Sequence, residues 1–260
     1  MLTPIQEVEY KGLPLFLKRD DLFEVAGVLG GKVRTCWHIA THPNVPIGLI
    51  TAGSRHSPQV LIVAKIAKEL GIPCRVHVPA GEETPEILLS REAGAEVFGH
   101  RPGYNSVICA RAEEDARMMG RAGWRYVPFG MRCEEAITMT AGQVSPPDPR
   151  TKRIVVPVGS AMSFCGILNG LLKIGWGAIT VLGVRVGADP TPIIKFYAPA
   201  YSNFGIVRAA VSYDTHIEAE ICGISLDPVY EAKCLPFIEP YDLFWLVGHR
   251  GSLLKEEENV

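Results

Sequence analysis

At 260 residues the chain is long enough to bury a sizeable core and to form one large or two small domains. With 47% hydrophobic residues and a formal net charge of −2, it is not a disordered chain, nor one drawn by overall charge to nucleic acid or anionic membrane. Seven scattered cysteines without a Cys-x-x-Cys pair read as free thiols in a reducing compartment, not as a zinc site or a disulfide framework. No apolar run is long and uncharged enough to span a bilayer, and Met1 to Glu7 lacks a basic segment followed by an apolar one, so a cytoplasmic, soluble protein is expected.

In chain order, residues 15–18 read as a short strand leading into Arg19-Asp20-Asp21. After Gly30-Gly31-Lys32, a helix is expected from Val33 to Thr41, closed by Pro43. Ile47 to Thr51 is a short apolar run of the buried parallel-strand type. Gln59 to Leu70 reads as a helix stopped by Gly71, Cys74 to Val78 as a strand, and Pro85 to Gly94 as a helix capped by Thr84. A strand at 95–98 and a helix from Ser106 to Arg121 complete this run. Strand and helix alternating at these spacings predict a doubly wound α/β layer with a parallel sheet. Ser145-Pro146-Pro147-Asp148-Pro149 forbids regular structure and reads as a linker. The pattern then restarts with a buried strand at 153–158, a loop, a helix from Phe164 to Lys173 and a strand at 179–186. Residues 190–209 carry no clear period. Val229 to Leu235 reads as a helix, 243–247 as a last buried strand, and 255–259 as a charged, frayed end.

Three stretches carry chemistry. Gly30-Gly31 lets the backbone turn tightly before Lys32. A lysine in a dry pocket has a lowered pKa, becomes a nucleophilic amine and can form a Schiff base with a carbonyl. Gly159-Ser160-Ala161-Met162-Ser163, between a buried strand and a helix, is the kind of loop whose backbone N–H groups hold an anion. Asp227-Pro228-Val229-Tyr230-Glu231-Ala232-Lys233 places an acid and a phenol side by side. Taken singly, each has an ordinary structural reading: a surface turn, a βα turn, and a helix-capping Glu beside a core Tyr. Gly27 to Lys32 is not a nucleotide-binding P-loop, since no Ser or Thr follows the lysine. Arg111, Arg117, Arg121, Arg125 and Arg132 are interleaved with Glu113, Glu114 and Asp115, so a solvated helix face is favoured over a nucleic-acid surface.

Taken together with Leu17 to Leu22 and Leu49 to Ser57, these stretches resemble the 1-aminocyclopropane-1-carboxylate deaminase and D-cysteine desulfhydrase family of fold type II (tryptophan-synthase-β-like) pyridoxal phosphate enzymes. The resemblance runs from about Leu15 to Ser252. It implies two doubly wound parallel-sheet domains with pyridoxal 5′-phosphate in the cleft between them. The smaller would span 44–127, and the larger 1–43 plus 128–260. It implies a homodimer and a small amino-acid-like substrate. Lys32 would hold the cofactor and move protons at the substrate α-carbon. Gly159, Ser160, Ala161, Met162 and Ser163 would hold its phosphate, and Glu231 its ring nitrogen, as in the deaminase branch. Tyr230 would transfer a proton near the substrate, and Ser57 would touch the substrate carboxylate. The chain departs from the family pattern at three points. It lacks the Asn before Lys32. Pro58 stands where the family has an Asn touching the cofactor, with Gln59 or His56 as possible replacements. Arg250 stands at a usually small or uncharged position, where it could pair with a carboxylate or phosphate. The expected activity is deaminase- or lyase-like chemistry at an amino-acid α-carbon. Two alternatives stay open: an enzyme acting on an amino acid attached to a modified DNA base in a viral hypermodification pathway, and a non-catalytic cofactor-binding regulator.

Overall fold

The computed structural model describes residues 2–101 and 103–248. The expectation for Arg250, and that for the charged stretch 255–259, lie outside the described residues. The strands are β1 (Ile5–Tyr10), β2 (Leu13–Arg19), β3 (Glu24–Val25), β4 (Val28–Leu29), β5 (Gly48–Ala52), β6 (Cys74–Pro79) and β7 (Ala95–His100). They continue with β8 (Trp124–Val127), β9 (Arg153–Val158), β10 (Thr180–Arg185), β11 (Phe204–Arg208), β12 (Glu220–Ile221), β13 (Ile224–Ser225) and β14 (Asp242–Leu246). The helices are α1 (Gly31–Thr41), α2 (Pro58–Glu69), α3 (Pro85–Glu92), α4 (Asn105–Gly120), α5 (Glu134–Ala141), α6 (Met162–Lys173) and α7 (Thr191–Tyr197).

Two compact units result. One takes residues 2–23 and 136–248, the other Glu24–Glu135. The second unit is wider than the span 44–127 that the family resemblance implies. Its extra part includes α1, which packs on α2 and β8 and so belongs with the sheet that those elements build.

The second unit holds a four-stranded parallel sheet in the order β7-β6-β5-β8. Side chains alternate between its faces. Ile50 and Ala52 of β5 pack with Ile108 and Ala112 of α4. Thr51 points the other way, and its hydroxyl accepts a hydrogen bond from Gln59 of α2 (3.0 Å). Helices therefore cover both faces, as the buried run at 47–51 requires.

The first unit holds a six-stranded sheet in the order β1-β2-β14-β9-β10-β11. β1 and β2 form an antiparallel hairpin through Lys11-Gly12, both at positive φ (54° and 76°), as a tight two-residue turn demands. The remaining pairings are parallel. The core on one face joins Leu15, Leu17, Val155, Val184, Phe244 and Leu246 to Leu226, Val229, Ala232 and Cys234. Residues 190–209 form α7 and β11. The helix expected at 229–235 is instead a turn followed by a 3-10 helix, Ala232–Phe237, which contains Pro236. Proline lacks the N–H that a longer α-helix would need there.

The amino ends of β9 and β14 are tied by Arg153. Its Nε and Nη2 reach Asp242 Oδ1 and Oδ2 at 2.8 and 3.0 Å, and Nη2 also donates to the Phe237 carbonyl. Asp242 is buried and also accepts the Glu239 N–H at 2.7 Å. Removing the guanidinium leaves a buried carboxylate without its counter-charge, which costs about 3 kcal/mol. Arg153→Ala should therefore lower the urea midpoint by that equivalent, with Arg153→Ala/Asp242→Asn recovering part of the loss. An unchanged midpoint for Arg153→Ala would show that the pair does not hold the sheet.

Candidate active site

In the first unit the chain runs from β9 through α6 to β10 and through α7 to β11, always in one direction across the sheet, while β14 lies on the other side of β9. Chains leaving the carboxyl ends of β9 and β14 thus diverge, and open parallel sheets bind ligands in the crevice at such a point. Gly159, Ser160 and Ala161 leave β9 there. Ala161 is left-handed (φ 68°, ψ −1°) and sits immediately before α6, with no side chain capping the helix. The first-turn N–H groups of a 12-residue helix are therefore offered to whatever anion binds. Small residues and this left-handed turn form a backbone cradle that fits a phosphate.

Tyr230 lies over this loop. A Cβ added to Gly159 would stand 2.9 Å from Tyr230 Cε1 and 3.1 Å from its hydroxyl oxygen, so only glycine lets the phenol come this close. The backbone of Tyr230 is fixed by Asp227, whose Oδ1 accepts the N–H groups of Val229 (3.0 Å) and Tyr230 (2.8 Å). Lys233, buried in the same motif, donates to the carbonyls of Ser212 (2.6 Å) and Tyr213 (3.2 Å). Tyr213 meets Tyr230 edge to face at 6.0 Å. Asp227 and Lys233 thus fix the surroundings of Tyr230. The Asp-Pro-x-x spacing was a usable signal for the first, since a side-chain-closed turn favours Asp at its start.

Glu231 is buried and ties two loops together. Its Oε2 accepts the Asp227 N–H at 2.9 Å, and its Oε1 accepts those of Val247 and Gly248, just after β14, at 2.7 and 3.0 Å. A carboxylate has about four acceptor sites. Three are filled by backbone, which leaves one on Oε2. Burial pushes its pKa up to about 7; the Asp227 N–H opposes this, the Asp227 charge adds to it, and the N–H groups of Gly248 and Val247 oppose it again. A neighbouring cation would be strongly favoured by such a group.

In the second unit Lys32 is the second residue of α1, half-buried, after Gly30 at φ 112°. Near the start of β8, Arg125 donates to the carbonyls of Ile39 and His42 at the other end of α1. α1 also packs on Phe129–Met131, beyond the end of β8. The helix therefore runs back along β8, and Lys32 lies toward the carboxyl end of the sheet. The loop 53–57 leaves β5 at that same end. Ser57 caps α2, its Oγ accepting the Gln59 N–H at 3.3 Å, and Pro58 fills the first helical position, where a missing N–H costs nothing. Gln59 does not replace the absent asparagine. Its amide nitrogen donates to Thr51 and to the Pro128 carbonyl (3.0 and 2.8 Å), and the side chain is buried. His56 is exposed.

A family model described as pyridoxal-phosphate dependent enzyme matches residues 2–223. The chain is 24% identical over 205 residues to a glycyl-dTMP PLP-dependent decarboxylase of Pseudomonas phage M6, covering 73% of each chain. Among solved structures it is similar to an ACC deaminase homologue, with TM-score 0.80 and 22% identity over 95% of this chain and 89% of that one. Apo diaminopropionate ammonia lyase from Escherichia coli gives TM-score 0.65 and 13% identity over 99% of this chain and 88% of that one. At these identities the solved structures establish a shared fold, that of the fold type II enzymes, while the family match spans most of the sequence. The chain belongs to the pyridoxal-phosphate dependent enzyme family, and pyridoxal phosphate is its cofactor.

Proposed function

We propose that this enzyme breaks a bond at the α-carbon of an amino-acid-bearing substrate, in the manner of a lyase or deaminase. The observation that carries this reading is the gathering of Gly159, Tyr230 and Glu231 at the point where β9 and β14 diverge. Bound pyridoxal phosphate supplies an electron sink for the charge left on the α-carbon. In this reading the N–H groups of Gly159 to Ser163 hold the phosphate. Glu231, with its remaining acceptor site, keeps the ring nitrogen protonated. Lys32 carries the cofactor and moves a proton at the α-carbon. The Tyr230 hydroxyl exchanges a proton with the substrate, and Ser57 receives the substrate carboxylate.

A second, narrower reading is favoured by the phage relative, named for action on glycyl-dTMP. Here the amino acid is carried on a nucleotide. Titrating the holoenzyme with free glycine, free serine and glycyl-dTMP, while recording the visible spectrum, separates the two. A spectral change with glycyl-dTMP at concentrations where free glycine is silent supports the nucleotide-borne substrate. A change with the free amino acids alone confines the enzyme to the broader reading, and no change with any of them contradicts both. Lys32→Ala should lose the visible band of the bound cofactor while keeping the far-ultraviolet dichroism of the folded chain.

Glu231 gives a pH-dependent signature of its own. The folded protein holds this proton up to about pH 7, whereas an unperturbed carboxyl releases it near 4.5. Between those values the folded state binds more protons than the unfolded one, so rising pH costs stability through this group. Glu231→Gln cannot titrate, and its NH₂ faces a backbone donor, leaving a buried N–H unpaired at about 1–3 kcal/mol. In cofactor-free protein, thermal melts should show wild type above Glu231→Gln at low pH, with the gap narrowing as pH rises through this window. A gap independent of pH would mean that Glu231 is already ionised throughout.

A further inference from the structure

Arg55 has no task in the chemistry above. From β5 the chain passes through α2 to β6 and through α3 to β7, while β8 lies on the other side of β5. The crevice position of this second sheet is therefore at the carboxyl ends of β5 and β8, and Arg55 stands in the middle of the loop that leaves β5. That loop is held firmly. The Ser57 N–H donates to Ser54 O at 3.0 Å, the Gly53 N–H to His77 O at 3.1 Å, and the hydroxyl of buried Thr84 to Arg55 O at 2.6 Å. The side chain reaches toward the loop after β6, where a Cβ added to Gly81 would lie 1.9 Å from Arg55 Nη1. Gly81 thus leaves the space that the guanidinium takes.

The other half-buried arginines of this unit have protein partners. Arg75 pairs with Asp115 at 2.8 Å and Glu96 at 3.3 Å, and Arg125 donates to main-chain carbonyls. Next to Thr84, Glu83 is taken by Arg91 at 3.1 Å. Among the described residues the Arg55 side chain makes no hydrogen bond or ion pair. A guanidinium has five donors in a rigid fork that matches a phosphate or carboxylate. Half-buried and with its backbone pinned, the guanidinium is pre-oriented for an anion whose oxygens would replace its water.

We propose that Arg55 is a specificity residue that takes a phosphate monoester of the substrate, in addition to the α-carboxylate assigned to Ser57. This rests on the reading in which the amino acid is carried on a nucleotide. Free amino acids lack the second anion, so Arg55 selects against them. Gly81 and Thr84 are positioning residues that keep the fork in place.

The test is calorimetric titration of the holoenzyme with dTMP, thymidine, O-phospho-L-serine and L-serine, on wild type, R55K and R55Q. Wild type should bind dTMP about tenfold or more tighter than thymidine, the scale of charged hydrogen bonds to one group. R55Q should lose that difference, R55K should keep part of it, and all three should hold the cofactor equally by absorbance. If wild type shows an Arg55-dependent preference for O-phospho-L-serine over L-serine but none for dTMP, Arg55 still reads phosphate and the nucleotide reading falls. If wild type prefers dTMP and R55Q does so equally, the nucleotide reading stands and the role of Arg55 is overturned. It is overturned too if neither phosphate compound is preferred by wild type, or if R55Q loses the cofactor, which would assign the fork to the cofactor's own phosphate.

Discussion

The parallel pairing of β9 with β14 is the constraint on which the first unit depends. β14 comes from the far end of the described chain, yet it lies between β2 and β9 and pairs in parallel with both. Without it the hairpin β1-β2 would have no sheet to join, and β9 would be an edge with no diverging partner. Each end of the pairing is fixed by a buried carboxylate. Asp242 receives Arg153 at the amino end, and Glu231 receives two N–H groups at the carboxyl end. Burying a carboxylate is costly and is tolerated when donors fill it. Asp242 has a guanidinium as counter-charge while Glu231 is held by backbone N–H groups, and burial raises the pKa of both. The carboxyl end of the pairing is also the end where the loop 159–161 begins.

The same logic recurs in the second unit with different chemistry. There the bracket across the diverging strands is neutral: Gln59 joins Thr51 of β5 to the Pro128 carbonyl just past β8. The charge at that end comes from side chains on neighbouring loops and on α1, namely Arg55 and Lys32. Each sheet therefore presents a set of groups at its carboxyl end. The first offers backbone donors, a phenol and a carboxyl, and the second offers amine, hydroxyl and guanidinium.

Much of this was legible in the sequence because it rests on local pattern. Short apolar runs at 47–51 and 153–158, separated by helix-length segments, require parallel strands covered on both faces. Gly159 to Ser163 could be read as an anion loop from its place between strand and helix. What escaped depends on partners far along the chain. β1 was missed because its alternation is weak, although Lys11-Gly12 is a good hairpin turn. Trp124–Val127 and Phe204–Arg208 are strands because neighbours accept them, not because four or five residues insist on it. Pro236 denies the segment a regular α-helix. Glu231 was read toward the ring nitrogen alone. Its bonds to Val247 and Gly248 join residues 16 and 17 positions away, which no local rule foretells. Gln59 was a candidate for cofactor contact until the structure spent its donors on Thr51 and Pro128.

The central claim is that Lys32, near the amino end of α1, is where the cofactor is held. Lys18 and Lys233 are the most deeply buried lysines described, at 1% and 2% exposure, and each already donates to main-chain carbonyls. Burial alone would thus point to Lys18 or Lys233, and the proposal for Lys32 rests instead on its place toward the carboxyl end of the sheet. The direct measurement is borohydride reduction of the coloured protein, followed by proteolysis and mass spectrometry of the pyridoxyl peptide. The account predicts a single modified peptide containing Lys32. Modification at Lys18, Lys65 or Lys233, with Lys32 unlabelled, would contradict it.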